Sequence, residues 1–361
     1  MAGKGTRLFA SNAAGWAMAG PAFGLIVLFI IVPFILAFTL SLTNARLFSP
    51  NPVQWVGGAN FQQLLGVRFL TLEPQKDEAG AIVLDAAGEP SFPRLREYTR
   101  NSPDYPQLQG MQEFVSFDIG QSRTHVLARN TVFLQAIVNT LLFVLIVAPV
   151  QGGLALGLAL LVNQKLKGIK VFRVIYFMPV VVSIVVVSLL WRFIYDGNNG
   201  LLNSLLSWLT FGLSRPVDWI GNPSTALFAI IVMSIWQAVG FHMVIWLAGL
   251  QTIPPTLYEA ASIEGASRCQ TFRYVTWPGL RNTATLVLIV ITMQAFGLFS
   301  QVDVMTKGGP LDSTQSLVFQ AVEVGYRKQD IGTGSAISVI LFGIVLSITL
   351  ILRRLTREGK V

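Results

Sequence analysis

Residues 258–279 read YEAASIEGASRCQTFRYVTWPG, a polar, glycine-punctuated stretch between two strongly apolar runs at 224–250 and 283–302. A turn between helices needs only a few residues, and this stretch has room for two short helices. Pro254 and Pro255 end the preceding helix, because proline lacks an N–H and disfavours a helical residue before it. From 256 to 266 the residues favour helix, with Ala260, Ala261 and Ala266 alongside Glu259 and Glu264. Gly265 then lets the backbone turn or another backbone approach. A second short helix is expected over 268–276, offering Phe272, Tyr274 and Val275 for packing, and Pro278 marks its boundary with the next run. The loop is too short to bury a core of its own. It must pack either on its own helices or on another protein, and its residues leave both options open.

The chain around this loop is 361 residues long, 53% hydrophobic and only 12% charged. Soluble domains carry about 25% charged residues, so the composition is that of a polytopic membrane protein. Six uncharged runs are long enough to cross a bilayer: 17–42, 132–162, 174–191, 224–250, 283–302 and 332–352. Hydrocarbon offers the backbone no partners, so each is expected to be a helix. Pro33, Pro149 and Pro179 fall inside these runs and predict kinks. The long second run has room for an interfacial turn before Asn139, whose amide would then satisfy the backbone at a helix start. The first run is too long for a signal peptide and has no convincing cleavage site, so it reads as a retained span.

Lysines and arginines near the span ends set the orientation. Lys4, Arg7, Lys165, Lys167, Lys170, Arg173, Arg268, Arg273, Arg281, Arg353, Arg354, Arg357 and Lys360 fall on one side, which is assigned to the cytoplasm. Both termini are then cytoplasmic, and the protein is expected to be multi-pass in a bacterial-type inner membrane. The expected organisation is a cytoplasmic segment 1–16, a first span 17–42, an extracytoplasmic insertion 43–130, a five-span core 131–354 containing the loop 251–282, and a tail 355–361. Within the insertion, GAIVLDAAGEP (80–90) reads as a strand and turn. The insertion is either a small cap or a docking surface for an external partner. Residues 195–209 read as an outer turn and an interfacial amphipathic helix, with Trp208 and Trp219 as headgroup anchors. The Gly-Gly-Pro at 308–310 reads as a tight outer turn.

The net charge of +8 comes from residues flanking spans, and no basic patch with interleaved aromatics suggests nucleic acid. Cys269 is the sole cysteine, which excludes an intramolecular disulfide. No nucleophile–base pair, carboxylate dyad or metal constellation lies in the spans, and the chain has no G-x-x-x-x-G-K-[ST] phosphate loop. Enzyme chemistry is therefore not expected here. Intramembrane carboxylates are missing too, which argues against a proton-coupled carrier. Gln237 lies near the middle of the fourth run and Gln294 near the middle of the fifth, with Gln301 two helical turns on. Such uncharged amides suit solute hydroxyls, and Ser234, Trp236 and His242 could add hydrogen bonds and a stacking surface. The competing reading is hydrogen bonding between helices, worth about 0.6–2 kcal/mol per contact. His242 reads better as a helix-contact histidine, and Phe296 and Phe299 as packing or lipid contacts. A stand-alone secondary transporter or channel remains the alternative class.

The loop resembles the EAA loop of permease subunits of binding-protein-dependent ABC importers. Glu259, Ala260, Ala261, Gly265, Ala266, Phe272 and Pro278 stand at the matching positions. Glu264 stands where aspartate is commoner, Trp277 where an aliphatic residue is, and Asn282 where a final proline is often found. NTLLF (139–143), LALGLALLVNQKLKG (154–168), FRVIYFMPVVVS (172–183), GLLNSLL (200–206) and TKGGPLDSTQSL (306–317) resemble the sugar-importer branch with the maltose-type permeases. The resemblance covers 17–354 except roughly 69–123. It implies an all-α polytopic fold of about six transmembrane helices, with a cytoplasmic coupling helix and an enlarged outer loop between the first two spans. By the same resemblance, 259–266 docks into a cytoplasmic ATPase subunit, and Glu259, Ala260, Ala261, Glu264, Gly265, Ala266, Phe272 and Pro278 form the contact. The implied partners are a second, non-identical permease, a dimer of ATP-binding subunits holding ATP and Mg, and an extracytoplasmic solute-binding protein that docks near Gly-Gly-Pro. No cofactor is expected on this chain.

Overall fold

The computed structural model describes residues 5–78, 81–85, 88–100, 102–164 and 168–357. Lys4, Lys165, Lys167 and Lys360, four of the charges used for orientation, lie outside them. The chain forms two compact units, one from residues up to Gln63 together with Ala321–Ile340, the other from Leu64–Gln320 and from Leu341 onward.

In the first unit, α1 (Gly5–Ile26) passes through a π-helical turn at Val27–Ile31 into α2 (Val32–Leu40). Pro33 cannot donate to the carbonyl one turn back, and the wider turn before it absorbs the loss. The expected kink at Pro33 is thus a π-turn within a continuous helix. Asn60 of α3 (Ala59–Leu65) catches the chain as it leaves α2, its Nδ2 donating to the carbonyls of Ser41 (2.8 Å) and Thr43 (2.9 Å).

The second unit begins with a fold element that the all-α expectation lacked. Strand β1 (Val67–Leu72) is followed by a short α4 (Arg96–Thr99), β2 (Gln112–Ile119) and β3 (Ser122–Ala128). The strands form an antiparallel sheet in the order β1-β3-β2. Gly120 (φ +64°) supplies the tight β2–β3 turn. Leu70, Leu72, Leu108, Met111 and Leu127 make a small core of their own. Arg123 bonds Asp118 (2.8 Å) and holds that carboxyl below its ordinary value. The strand expected at 80–90 is reduced to isolated bridges, Lys76 to Ile82 and Leu84 to Pro90. Gly80, Ala86 and Ala87 of that stretch lie outside the described residues.

Helix α5 (Thr131–Val162) follows directly, capped by the Asn130 side chain, which accepts from Phe133 N (2.9 Å). It runs unbroken through Pro149, with no turn before Asn139. The third run differs most from expectation. It begins earlier and is two helices, α6 (Ile169–Val181) and α7 (Ile184–Ile194), bent by 97° at Val182–Ser183. Then come α8 (Leu201–Leu209) and the long α9 (Pro223–Gln251). Trp208 is 74% exposed, whereas Trp219 is half-buried and donates from Nε1 to Asn203 Oδ1 (2.9 Å).

The loop region holds α10 (Pro255–Ile263) and α11 (Arg268–Thr271), the latter continuing through a π-helical turn at Phe272–Thr276 into α12 (Trp277–Gly279). A 68° bend leads to α13 (Arg281–Phe296), which ends before position 302; α14 (Ser300–Met305) is separate. The chain closes with α15 (Leu317–Val322) and α16 (Ile331–Arg357). Among the described residues, four helices are long and apolar enough to cross a membrane, or up to six if each bent pair is one span.

Helices α5 and α9 pack side by side, running the same way from the end where the sheet lies. Trp246 Nε1 donates to Gly152 O (3.1 Å) across this seam, and Ala155, Ala159, Ile230, Met233 and Met243 of the two helices belong to one buried core. Gly240 brings α9 against the backbone of α6, since a Cβ there would strike the Tyr176 carbonyl. Phe296 is buried and Phe299 stacks obliquely on Phe319, so both pack internally.

Candidate functional site

A cavity of about 320 Å³ opens at the middle of the α5–α9–α13 packing. Ser234 and Gln237 reach it from α9, Gln294 from α13 and Gln301 from α14, so four polar residues picked out in the sequence meet at one place. Trp236 does not. Next to Gln237 in sequence but about 100° around the helix, it is 46% exposed and packs edge-on to Trp191 with centroids 5.5 Å apart.

The sequence reading missed Gln151 of α5, which also lines the cavity. Its signal was the same as for the other amides, a polar side chain within an apolar run. Gln151 is buried, its Nε2 lying 2.7 Å from Nδ1 of the fully buried His242, which also lies 2.9 Å from the Ala238 carbonyl. His242 is thus a contact between α5 and α9. Ser234 Oγ and His242 Nε2 are buried without a hydrogen-bond partner. Val180 and Ile184, on either side of the α6–α7 break, complete one wall. The lining carries amides, a hydroxyl and apolar groups, with no ionisable side chain among the described residues.

A polar strap lies over the sheet end of this unit. Asn139, two turns into α5 and not at its start, donates from Nδ2 to the carbonyls of Asp312 (3.2 Å) and Gln315 (3.0 Å), and accepts from Gln135 (2.9 Å). Thr140 Oγ1 accepts from Leu317 N (3.0 Å). The Gly-Gly-Pro turn is as expected, with Gly308 at φ +84° and Gly309 N bonded to Thr306 O (3.1 Å).

At the opposite end of α9 lies the loop. Helix α10 stops at Ile263, three residues short of its expected end. Gly265 (φ +72°) closes it: Ala266 N donates to Ala261 O (2.9 Å) and Gly265 N to Ser262 O (3.1 Å). This paired pattern is a Schellman stop, which needs a residue comfortable in the left-handed region. Ser267 then opens α11 with a capping box, its Oγ accepting from Gln270 N while Gln270 Oε1 accepts from Ser267 N. Tyr258 and Thr276 hydroxyls (3.2 Å apart) tie the two helices together. Glu259, Ala260, Glu264, Gly265 and Pro278 are exposed, while Ala261, Ala266 and Phe272 are half-buried. Ile263 is 85% and Tyr274 69% exposed, so the loop turns large apolar groups outward.

Residues 150–358 match the family model described as a binding-protein-dependent transport system inner membrane component. The trehalose/maltose transport system permease of Thermococcus litoralis is 40% identical over 204 residues, covering 56% of this chain and 68% of its own length. The diacetylchitobiose uptake system permease of Streptomyces coelicolor is 31% identical over 291 residues, covering 77% of this chain and 79% of its own length. In fold, the chain resembles a subunit of a bacterial ABC transporter involved in importing the acidic polysaccharide alginate. The TM-score is 0.70 at 20% identity, covering 98% of this chain and 100% of that one. The family model takes in the broken helix, the amide-lined cavity walls on α9 and α13 and the whole exposed loop, and the chain belongs to the inner-membrane permease components of binding-protein-dependent transport systems.

Proposed function

We propose that this chain forms half of an ATP-driven import pathway for a sugar or sugar derivative handed over by an extracytoplasmic solute-binding protein. The observation that carries the solute class is the mid-span cavity, walled by Gln151, Ser234, Gln237, Gln294 and Gln301. Amides donate and accept at once, which matches the hydroxyls of a saccharide, and an unpaired buried amide costs enough to penalise a solute lacking them. The trehalose/maltose and diacetylchitobiose systems among the relatives support the same class.

The other half of the pathway comes from a second, non-identical permease. The chain has no phosphate-binding loop of its own, so ATP and Mg belong to a dimer of cytoplasmic ATP-binding subunits. Helix α10 with its Gly265 stop is the coupling helix, and its exposed Glu259, Ala260, Glu264 and Ile263 enter the ATPase cleft. Transport requires that these contacts differ between the two states of the ATPase, since only differential contacts shift an equilibrium. Both termini lie in the cytoplasm.

Uptake by the reconstituted importer tests the cavity. Gln237→Ala and Gln294→Ala are each expected to cut uptake about tenfold, or about 1.4 kcal/mol, through lost hydrogen bonds to solute. Unchanged rate and selectivity in both variants would reject it.

A further inference from the structure

Exposed apolar side chains of a membrane protein belong on its spans, where lipid covers them. Those of α8 and the turn that closes it do not lie on one. Leu201, Leu205, Trp208, Leu209, Phe211 and Leu213 are all exposed, on a short helix between α7 and α9. The opposite side of α8 is fixed to the protein. Buried Asn203 donates from Nδ2 to the carbonyls of Gly197 (3.0 Å) and Val217 (2.9 Å), and its Oδ1 accepts from Val217 N (3.2 Å) and Trp219 Nε1 (2.9 Å). One amide thus pins α8 beside the start of α9 with its apolar face turned away. The closing turn repeats that of α10 with one difference. Gly212 N donates to Ser207 O (2.7 Å) and Phe211 N to Trp208 O (3.3 Å), again a Schellman stop. In α10 the left-handed position is filled by Gly265; here it is filled by Phe211, at φ +51°. A bulky residue is strained there. Its ring is 95% exposed, so contacts within the chain return almost nothing for that strain. The compensation has to come from outside the chain.

Between α8 and this turn opens a groove of about 770 Å³. One wall is polar, with Asn198, Ser204 and Ser207, and the other is apolar, with Trp208, Leu209, Phe211 and Pro216. Among the described residues no carboxylate lines it, and the exposed Arg215 adjoins Pro216. We propose that the groove binds a phospholipid of the surrounding bilayer, its phosphate and ester oxygens on the Asn198, Ser204 and Ser207 wall and an acyl chain along Trp208, Leu209 and Phe211. Neutral donors with a cation beside them suit a phosphodiester, and the amphipathic ring of Trp208 suits the headgroup boundary. Position favours lipid over a protein partner. Helix α8 packs on the end of α7, in a chain that belongs to an inner-membrane family, so its free face is held where span meets water. Leu190 and Phe193, in the last turns of α7, are exposed as well and carry the apolar surface of that helix up to α8. An interfacial helix needs no groove. The two-walled groove makes this a site for one lipid, beyond a surface resting on headgroups.

The test uses the permease in its assembled complex, in a Cys269→Ser background that removes the sole native thiol. A bimane label at Leu213→Cys, two residues from Phe211, is compared with one at Leu311→Cys, an exposed position beside the Gly-Gly-Pro turn. In phosphatidylglycerol nanodiscs carrying a headgroup-nitroxide phospholipid, quenching at Leu213→Cys is expected to be at least about threefold that at Leu311→Cys. Lipid quenching no stronger than at Leu311→Cys overturns the proposal; iodide then tells whether water (label quenched) or a protein partner (label shielded) covers α8. Occupancy of the groove is read on the unlabelled complex by native mass spectrometry with dioleoylphosphatidylglycerol added. The double variant Ser204→Ala, Ser207→Ala and the single variant Phe211→Gly are each expected to weaken retention of one lipid by at least about fivefold, the worth of one net hydrogen bond or more. Phe211→Gly relieves the turn, so its melting midpoint in detergent should be no lower than that of the unaltered chain. Unchanged retention in either variant overturns the groove as a lipid site. A lowered midpoint for Phe211→Gly overturns it too, by showing that the ring serves the fold.

Discussion

Gly240 and Gly265 are both glycines that the fold requires, for opposite reasons. At Gly240 the obstacle is the backbone carbonyl of Tyr176, which cannot swing aside as a side chain tip can. Gly240→Ala is expected to push α6 off α9, lowering stability by about 1–3 kcal/mol and distorting a cavity wall. A thermal melt of the assembled protein with an unshifted midpoint would contradict this. At Gly265 a Cβ would meet nothing, and the demand is its φ of +72°. Gly265→Val is expected to abolish uptake while membrane insertion persists, because β-branching makes the left-handed turn strained. Gly265→Asn should retain most uptake, since asparagine tolerates that region; equal uptake by the two variants would show that the turn is not what matters. Residue choice at this scale was largely legible. Gln237, Gln294 and Gln301 stand out as amides in apolar runs, and the glycine in the loop marks its turn. Gln151 carries the same signal, but its contact with His242 depends on how α5 and α9 register. Trp236 shows the converse: proximity to Gln237 in sequence does not place it on the same helix face.

Elements here are stopped and started by local chemistry that short stretches of sequence specify. The capping box at Ser267 and Gln270 opens α11 immediately after the Schellman stop closes α10, so the loop is two helices with one defined corner. Ser267→Ala should cost about 1 kcal/mol and speed amide hydrogen exchange across Arg268–Thr271 relative to Pro255–Ile263. Uniform exchange in both would argue that the corner is held by packing alone. The strap is held from a distance. Asn139→Ala removes donors to the carbonyls of Asp312 and Gln315 and should cost about 1–3 kcal/mol, read as a lower unfolding midpoint with insertion unchanged. An unchanged midpoint would mean that the strap does not depend on this amide. The start of α5 shows what pattern cannot settle. Asn130 and Asn139 are both good candidates for a helix start, and propensity does not choose between them. The α6–α7 break is similar: Pro149 is passed without a break while the helix containing Pro179 stops two residues later. The sheet was missed because its strands are short, alternate imperfectly (VRFLTL has adjacent Phe69 and Leu70) and lie in a segment rich in proline and turn residues.

At the scale of the whole molecule, the purified chain reconstituted by itself should neither hydrolyse ATP nor pass solute. Co-expression with the remaining components should recover a complex containing an ATP-binding subunit. ATP-independent flux through the lone chain would restore the stand-alone carrier reading. The number and rough position of the apolar runs, the exposed loop with its glycine turn, and the family were all determined by the sequence itself. Membrane spans need long uncharged stretches, and turns need particular residues, so both write themselves into local composition. What the tertiary structure alone decided was which of these features meet. It brought Gln151, Ser234, Gln237, Gln294 and Gln301 around one cavity, turned Trp236 away from it, broke the third run beside it, and folded a small β-sheet into the insertion after the first run. The reason is physical: apolar runs specify that helices form, but nearly any apolar face can bury against any other. Register is set by small-residue contacts such as Gly240 on Tyr176 and by polar bonds such as Trp246 to Gly152, which join positions far apart along the chain.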